Sequence, residues 1–199
     1  MTHQIRAQET RQKVLGAAAA CFSRIGYDAA SVSTICTEAG VTKGAFYYHF
    51  PSKQALFFDL INSWLADLDL NFLGARQESK NVPESFDKMA HFVGSSFSHS
   101  VDYMPIFLEF WLHAIRDPQI WELTIQPYRR YLNYFVGIIQ DGVAEGSFRL
   151  HDEKMSARAL ISMAIGLVLT GLMDPAANDW GKSVPESIKT FLEGIQKEA

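Results

Sequence analysis

The stretch SVSTICTEAGVTKGAFYYHFPSK, residues 31–53, predicts two short helices joined by a tight turn. The apolar residues of the first helix have the spacing of one buried face: Val32, Ile35, Cys36 and Ala39. Ser31 or Ser33 can cap the start of this helix, and Gly40 stands where its end needs a left-handed residue. Thr42 can cap a second helix that turns three side chains inward: Ala45, Phe46 and Phe50. This is the pattern of a helix-turn-helix, whose second helix lies in the major groove of DNA.

The outward side chains of the second helix have the chemistry of a DNA contact surface. Lys43 can reach a guanine edge or a phosphate, and Tyr47, Tyr48 and His49 offer hydroxyl and imidazole donors. Lys53 opens the following helix close to the same surface. The same residues also fit an ordinary solvated helix with buried aromatic residues, so the bare pattern leaves both interpretations open.

The helix-turn-helix belongs to a larger pattern of residues at fixed spacing between Gly26 and Leu56: Gly26-Tyr27, Ser31-Val32, Ile35, Ala39-Gly40-Val41, Lys43-Gly44, Phe46-Tyr47-Tyr48-His49-Phe50 and Ser52-Lys53. This set closely resembles the N-terminal domain of TetR-family transcriptional regulators. The resemblance implies that the outward residues of the second helix face DNA: Thr42, Lys43, Gly44, Tyr47, Tyr48 and His49. It also implies that Lys53 contacts a phosphate. Many members have threonine where this chain has Ala30, and Ser31 and Ser33 stand as substitutes for that contact.

Charge is unevenly distributed along the 199 residues, which carry a net charge of −4. Residues 1–53 contain six Lys/Arg and three Asp/Glu, for +3, and residues 54–199 contain the remaining 12 and 19, for −7. A basic head on an acidic body keeps the attraction for DNA local. We therefore predict a helix-turn-helix DNA-binding domain at 1–52 and a ligand-binding and dimerisation domain at 53–199.

The rest of the chain is predicted to be helical, because no stretch alternates with period two for long. The expected fold is all-α, with a three-helix head and a helical-bundle body, about nine helices in all. The expected helices cover about residues 8–25, 32–49 (two helices), 53–72, 84–99, 104–116, 119–144 (divided at Pro127), 153–173 and 184–197. A polar linker is expected at 74–84.

Aromatic residues are concentrated in the body, with 12 between Phe86 and Phe135 against a chain average of 13%. They either pack a plain core or wall an apolar ligand pocket. The family resemblance favours the pocket, because members usually enclose an inducer in the body. The candidate lining residues are Trp64, Phe92, Phe107, Glu109, Trp111, His113, Tyr131, Tyr134 and Phe135.

Two C-terminal helices carry apolar stripes that include Leu160, Ala164, Leu167, Gly171, Ile188, Phe191, Leu192 and Ile195. These stripes either close the core of one chain or pair with a second copy as a four-helix bundle, which is the family's usual dimer. The dimer is favoured, because a single short recognition helix reads too few bases for specificity. The expected DNA is accordingly a palindromic operator.

The sequence argues against other classes of protein. Its histidines lack metal-ligand spacing, no phosphate-binding loop or nucleophile elbow is present, and Glu109–His113 is an isolated pair. No enzyme activity, metal or cofactor is expected, and Cys21 and Cys36 are expected to be buried thiols. The N-terminus lacks a signal peptide and the apolar run 160–173 is too short to span a membrane, so a cytoplasmic protein is expected.

The combined prediction is a dimeric transcriptional regulator, a repressor that a small hydrophobic or aromatic molecule releases from DNA. The alternative is a helical carrier or sensor of small molecules whose head binds a protein partner. Binding to duplex DNA that falls steeply with salt distinguishes the first from the second.

Overall fold

The structure is a computed structural model, which describes residues 2–100, 108, 111–112, 114–150, 152–174 and 179–196. Eight helices are defined within these residues: α1 Thr2–Ile25, α2 Val32–Ala39, α3 Lys43–His49, α4 Lys53–Gln77, α5 Val82–Ser100, α6 Pro118–Ala144, α7 Glu153–Met173 and α8 Trp180–Glu193. An isolated bridge between Phe148 and Gln196 is the β structure recorded in them. The predicted all-α class is confirmed.

Several predicted helix limits need correction. The expected helix at 104–116 falls largely outside the described residues, although Leu108, Trp111, Leu112 and Ala114 are helical. Most of the linker expected at 74–84 is helix, because α4 continues to Gln77 and α5 already begins at Val82.

Proline 127 does not divide the helix that contains it. A proline removes one helical hydrogen bond and usually kinks or ends a helix, yet α6 is continuous from Pro118 to Ala144. The segments before and after Pro127 are both anchored by a buried residue, since Thr124 is 8% exposed and Leu132 is 9% exposed. Tertiary packing therefore offsets the local cost of the proline.

The chain divides into two compact units, which are described separately here. Unit 1 is Met1–Leu68 with Pro105–Leu112, and unit 2 is Asp69–Met104 with His113–Ala199. The residues of α4 are shared between them, with Lys53–Leu68 in unit 1 and Asp69–Gln77 in unit 2.

Unit 1 is built around aromatic rings contributed by α1, the turn after it and α4. Phe22, Tyr27 and Phe57 form a triangle with ring centroids 5.1 to 5.8 Å apart. Phe46 and Phe50 are fully buried, which anchors α3 from its inner side. Burial of several aromatic side chains supplies most of what a head this small can gain from apolar packing.

Unit 2 contains a close crossing of α5 and α8. A Cβ on Gly94 would lie 2.8 Å from the Trp180 carbonyl oxygen and 3.3 Å from the Pro185 ring, so only glycine permits this approach. The Trp180 indole packs just as closely over Gly171 of α7. Helix α8 runs from Trp180 to Glu193, whereas the apolar stripe alone predicted a helix at 184–197, and the contacts of Trp180 with Gly94 and Gly171 hold its first turn.

Candidate nucleic-acid interface

The two helices of residues 31–53 are capped as predicted. Ser31 Oγ accepts a hydrogen bond from the Thr34 amide at 3.0 Å and begins α2. Gly40 ends that helix with φ of 65°, and the Val41 amide returns to the Cys36 carbonyl at 3.0 Å. Thr42 Oγ1 then accepts from the Ala45 amide at 3.1 Å and begins α3. The turn therefore has one defined geometry, in which both N-caps are side-chain hydroxyls.

The outer face of α3 carries polar groups with no partner in the described structure. Tyr47 and Tyr48 are 54% and 72% exposed, and no hydrogen bond from either hydroxyl to a described residue is recorded. Lys43 is exposed and forms no ion pair with the described residues. His49 is half-buried, with its ring 4.9 Å from that of Tyr48. Hydrogen-bonding groups held on a rigid helix and left unused are suited to a polar partner.

The remaining predicted positions in this region are also exposed. Ser33 lies on α2 beside an open depression that it lines with Thr34, Thr37 and Glu38. Gly44 lies in the first turn of α3, and a Cβ there would meet nothing closer than Thr42 Oγ1 at 3.8 Å. Neither packing nor a positive φ requires a glycine at this position.

The positive charges counted in the head have different environments. Arg11 pairs with Asp59 at 2.9 Å, and Arg24 pairs with Glu38 at 3.0 Å. Such ion pairs lower the charge available to a distant anion, so the excess of basic residues overstates what α3 presents to solvent. Asp59 was not included in the net charge of +3 counted for residues 1–53, although it pairs with an arginine counted there.

Lys53 differs from Lys43 in its surroundings. Its Nζ donates to the Tyr27 carbonyl at 2.8 Å and to the Asp28 carbonyl at 3.3 Å. It also lies 4.3 Å from the centre of the Tyr27 ring. The predicted phosphate-contacting lysine is therefore bound to the turn between α1 and α2 in this structure.

Three of the predicted ligand residues lie in one aromatic cluster of unit 2. Phe72 of α4 contacts the rings of Tyr131, Tyr134 and Phe135 of α6 at centroid distances of 6.2, 6.2 and 5.8 Å. Phe86 of α5 stacks on Phe135 at 6.0 Å. Neither Phe72 nor Phe86 was predicted as a partner of these residues, because contacts between helices distant in the chain leave no local pattern.

A polar group borders this cluster and was missed from the sequence. Tyr131 Oη donates to Asp69 Oδ1 at 2.6 Å, and Arg130 Nη1 lies 2.9 Å from Asp69 Oδ2. Burial raises the pKa of Tyr131, and the hydrogen bond to Asp69 raises it further. Tyr131 is therefore a neutral donor to a carboxylate at physiological pH.

The other predicted ligand residues are not brought into this cluster. Trp64 and Trp111 belong to unit 1, and Phe92 is half-buried on α5 of unit 2. Phe107, Glu109 and His113 lie outside the described residues.

The residues predicted for a dimer interface divide into two groups. Five of them are buried within their own chain: Leu160, Gly171, Ile188, Leu192 and Ile195. Ala164 is exposed, and Leu167 and Phe191 are half-buried. Leu167 also lines a surface groove with polar residues of α8: Ser183, Glu186, Ser187 and Thr190. The C-terminal stripes thus contribute to the core and leave a second, partly apolar face uncovered.

Helix α7 is more apolar than its burial accounts for. Its segment Glu153–Gly171 has the length and composition of a helix that could cross a membrane, and 22% of it is buried. The helix is longer than the apolar run 160–173 used in the sequence argument, so length alone does not exclude a span. One such helix is weak evidence of a span, because the core helix of a soluble protein passes the same test.

The two cysteines are buried free thiols of unit 1, as predicted. Burial raises the pKa of both Cys21 and Cys36. A raised pKa disfavours the reactive thiolate, which suits a structural role.

Two family models match the chain. Residues 14–60 match the model described as bacterial regulatory proteins, tetR family, and residues 91–196 match the BetI-type transcriptional repressor, C-terminal. The regulator UidR of Escherichia coli K12 is 24% identical over 195 residues, which cover 96% of this chain and 95% of UidR.

Solved structures share the fold. The fatty acid degradation regulator FadR from Bacillus halodurans superposes with a TM-score of 0.84 at 18% identity, over 93% of this chain and 95% of FadR. A transcriptional regulator from Saccharomonospora viridis, solved in complex with choline, gives 0.82 at 20% identity, over 96% of this chain and 100% of that one. TM-scores of this size at such low identity show a shared fold.

Proposed function

Because the chain belongs to the TetR family of transcriptional regulators, we propose that this DNA-binding regulator is a dimeric repressor released from a palindromic operator by a small molecule. Homologues across the family are regulators of transcription, not enzymes. The observation that carries the proposal is the outer face of α3, where Lys43, Tyr47 and Tyr48 hold exposed polar groups over a buried aromatic base. We place its action in the cytoplasm.

The proposed DNA surface follows from the exposure of the two short helices. Base edges are read by the outward groups of α3, and phosphates are contacted by hydroxyls at the starts of α2 and α3. The residues proposed for this surface are Ser31, Ser33, Thr42, Lys43, Gly44, Tyr47, Tyr48 and His49. Lys53 is proposed to affect this surface indirectly, through its contacts with the α1–α2 turn.

The proposed dimer interface is the uncovered face of α7 and α8. Ala164, Leu167 and Phe191 are the residues proposed for it, the first exposed and the other two half-buried. The apolar composition and low burial of α7 favour a protein-covered face, because exposed apolar area of this extent is unfavourable in water. Two copies joined here present two α3 helices to successive half-sites.

The proposed ligand site lies in unit 2 beside the aromatic cluster. Tyr131, Tyr134 and Phe135 are proposed as apolar walls, with the Asp69 carboxylate at the edge as a polar anchor, and Phe92 stays a ligand residue predicted from the sequence. Trp64, Phe107, Glu109, Trp111 and His113 remain predicted ligand residues from the sequence. An aromatic or other hydrophobic molecule fits such walls.

A hydrophobic cation is the second candidate ligand, on one specific observation. The Arg130 guanidinium lies 5.0 Å from the centre of the Tyr131 ring, so this ring face already accepts a cation next to Asp69. The relative from Saccharomonospora viridis was solved with choline, which makes choline the first compound to test.

The proposed mechanism is a shift between two arrangements of the dimer. A ligand that binds one arrangement more tightly draws the population toward it, by no more than its difference in affinity. If that arrangement spaces the two α3 helices wrongly for the operator, DNA is released. Helix α4 is the proposed link, because its residues belong to both units.

The testing experiment selects duplexes from a random-sequence pool with the purified full-length chain. We expect recovery of a palindrome whose affinity falls steeply with salt. Choline and a panel of aromatic and acyl compounds are then added, and one class should release the duplex. A chain that enriches no duplex contradicts the proposal and favours the alternative, a carrier or sensor whose head binds a protein.

A further inference from the structure

Lys53, the first residue of α4, directs its ammonium group into the turn between α1 and α2. The turn carbonyls of Tyr27 and Asp28 accept from Nζ at 2.8 and 3.3 Å. Nζ also lies 4.3 Å from the centre of the Tyr27 ring, within the range of a cation–π contact. One side chain thus joins the start of α4 to a turn 25 and 26 residues earlier in the chain.

The α1–α2 turn, whose carbonyls accept from Lys53, leads directly into the helix-turn-helix. Tyr27 is 6% exposed and packs against Phe22 and Phe57, so the turn rests on the aromatic triangle of unit 1. Ser31, the N-cap of α2, follows Asp28 by three residues. A change in the turn therefore passes directly to α2, which packs against α3.

We infer that Lys53 is a positioning residue, which holds the α1–α2 turn against the start of α4 and thereby fixes the orientation of the DNA-contacting face. This role differs from the phosphate contact that the family resemblance implied for it. It rests on the proposed DNA surface of α3, which it holds in place.

The physical reason lies in what a phosphate contact requires. Two of the three N–H groups of the Lys53 ammonium go to the Tyr27 and Asp28 carbonyls and the Tyr27 ring covers a further side, so contact with a phosphate costs part of these interactions. Lys43 has no such contacts with described residues and can approach a phosphate without breaking any. The two lysines should therefore differ in how they affect the salt dependence of binding.

The test compares Lys53→Met with the matched control Lys43→Met, which removes the same charge from an exposed lysine of α3. The probe is the palindromic duplex recovered by selection, and its affinity is measured over a series of salt concentrations. Thermal unfolding of the full-length chain and amide hydrogen exchange at residues 27–31 are measured in parallel.

We expect Lys53→Met to weaken binding about tenfold at every salt concentration, with the salt slope unchanged. Its unfolding midpoint should fall and exchange at residues 27–31 should quicken. Lys43→Met should reduce the salt slope by about 1 and leave unfolding and exchange as in the wild type. Lys53→Gln, whose amide can still donate, should lie between wild type and Lys53→Met.

The inference is overturned if Lys53→Met lowers the salt slope by about 1 while unfolding and exchange stay at wild-type values. It is equally overturned if affinity is unchanged at all salt concentrations. Should Lys53→Met fail to fold, the slope and exchange of Lys53→Gln decide by the same criteria. A wild-type chain that enriches no duplex instead contradicts the proposed function itself, which separates the two failures.

Discussion

Helix α3 and helix α7 both leave part of their surface uncovered, but with opposite chemistry. The uncovered face of α3 consists of a lysine and two tyrosines whose polar groups have no partner in the described structure. The uncovered face of α7 carries apolar side chains, of which Ala164 is exposed and Leu167 is half-buried. Unused hydrogen-bonding groups favour a polar, charged partner, and uncovered apolar area favours a protein surface.

Exposure alone does not distinguish a binding surface from an ordinary one. Tyr48 on α3 and Leu167 on α7 are each unremarkable as single residues. What separates both faces from the rest is a rigid base beneath them. Phe46 and Phe50 are fully buried under α3, and Leu160 is buried under α7, so each exposed set is held in fixed geometry.

The largest effect is expected from charge on the apolar face. Leu167→Glu or Phe191→Glu should give monomers in sedimentation, because a carboxylate cannot be buried there without a partner. Binding to the palindrome should fall by about 100-fold or more, since the second half-site is lost.

Leu123→Glu is the matched control, because Leu123 is a 58% exposed leucine of α6. It should leave both the dimer and DNA binding intact. A Leu167→Glu monomer that still binds the palindrome tightly would contradict the proposal that DNA binding needs a dimer joined through α7.

The next effect concerns the polar face. Lys43→Ala and Tyr48→Ala should each cost about 1–3 kcal/mol of binding where they touch base edges, and less where they touch phosphates. His49→Ala should weaken all sequences alike. Affinities for the selected duplex and for a scrambled duplex, compared over several salt concentrations, separate these cases.

Lys13→Ala provides the control, since it removes an exposed lysine of α1. If Lys43→Ala bound like wild type at every salt concentration, the docking face would have to be sought elsewhere in unit 1.

A third effect tests the buried aromatic base of unit 1. Burial, with a smaller contribution from Asp28, raises the pKa of Tyr27 from 10.0 to about 12. Since the folded pKa lies above the unfolded one, the contribution of protonated Tyr27 to folding stability is fully present below pH 10. It is lost as pH rises toward 12. The loss is on the order of 2 kcal/mol.

Tyr27→Phe should therefore lose less stability than the wild type between pH 10 and 12 in alkaline unfolding monitored by circular dichroism. Tyr48→Phe, at an exposed position of the same unit, should follow the wild-type profile. Identical profiles for all three proteins would show that Tyr27 ionises without penalty.

The smallest effect is expected from Gly44→Ala, which should raise stability and weaken DNA binding. Gly44→Ala should stabilise the chain by about 0.5–1 kcal/mol, because glycine is a poor helix former and space for a Cβ exists. It should nevertheless weaken DNA binding, because the added methyl lies on the face proposed to approach DNA.

Gly16→Ala in α1 is the matched control, since a Cβ there also meets nothing within 4 Å. It should raise the unfolding midpoint and leave DNA affinity unchanged. A Gly44→Ala protein that is more stable and binds as well as the wild type would exclude close approach of DNA at this residue.

Residues 31–53 illustrate how far local chemistry reaches. Ser31, Gly40 and Thr42 cap α2 and α3 as their sequence context indicates, because capping depends on atoms within four residues. The limits of α7 were also predicted correctly, since Asp152 caps its start. The end of α4 and the start of α8 were not: α4 continues to Gln77, where Arg76 pairs with Asp141, and α8 begins at Trp180, whose ring packs over Gly171.

The amino-acid sequence was enough to predict the all-α class, the helix-turn-helix, its exposed polar face and the apolar character of the C-terminal helices. All of these follow from the spacing of residue types over one or two helical turns. The tertiary structure was needed to show that Lys53 contacts the α1–α2 turn, that Asp69 accepts from the Tyr131 hydroxyl, and that Leu160 is core while Leu167 is half-buried. Those outcomes depend on contacts between residues far apart in the chain, and periodicity within one helix carries no information about which distant helix covers it.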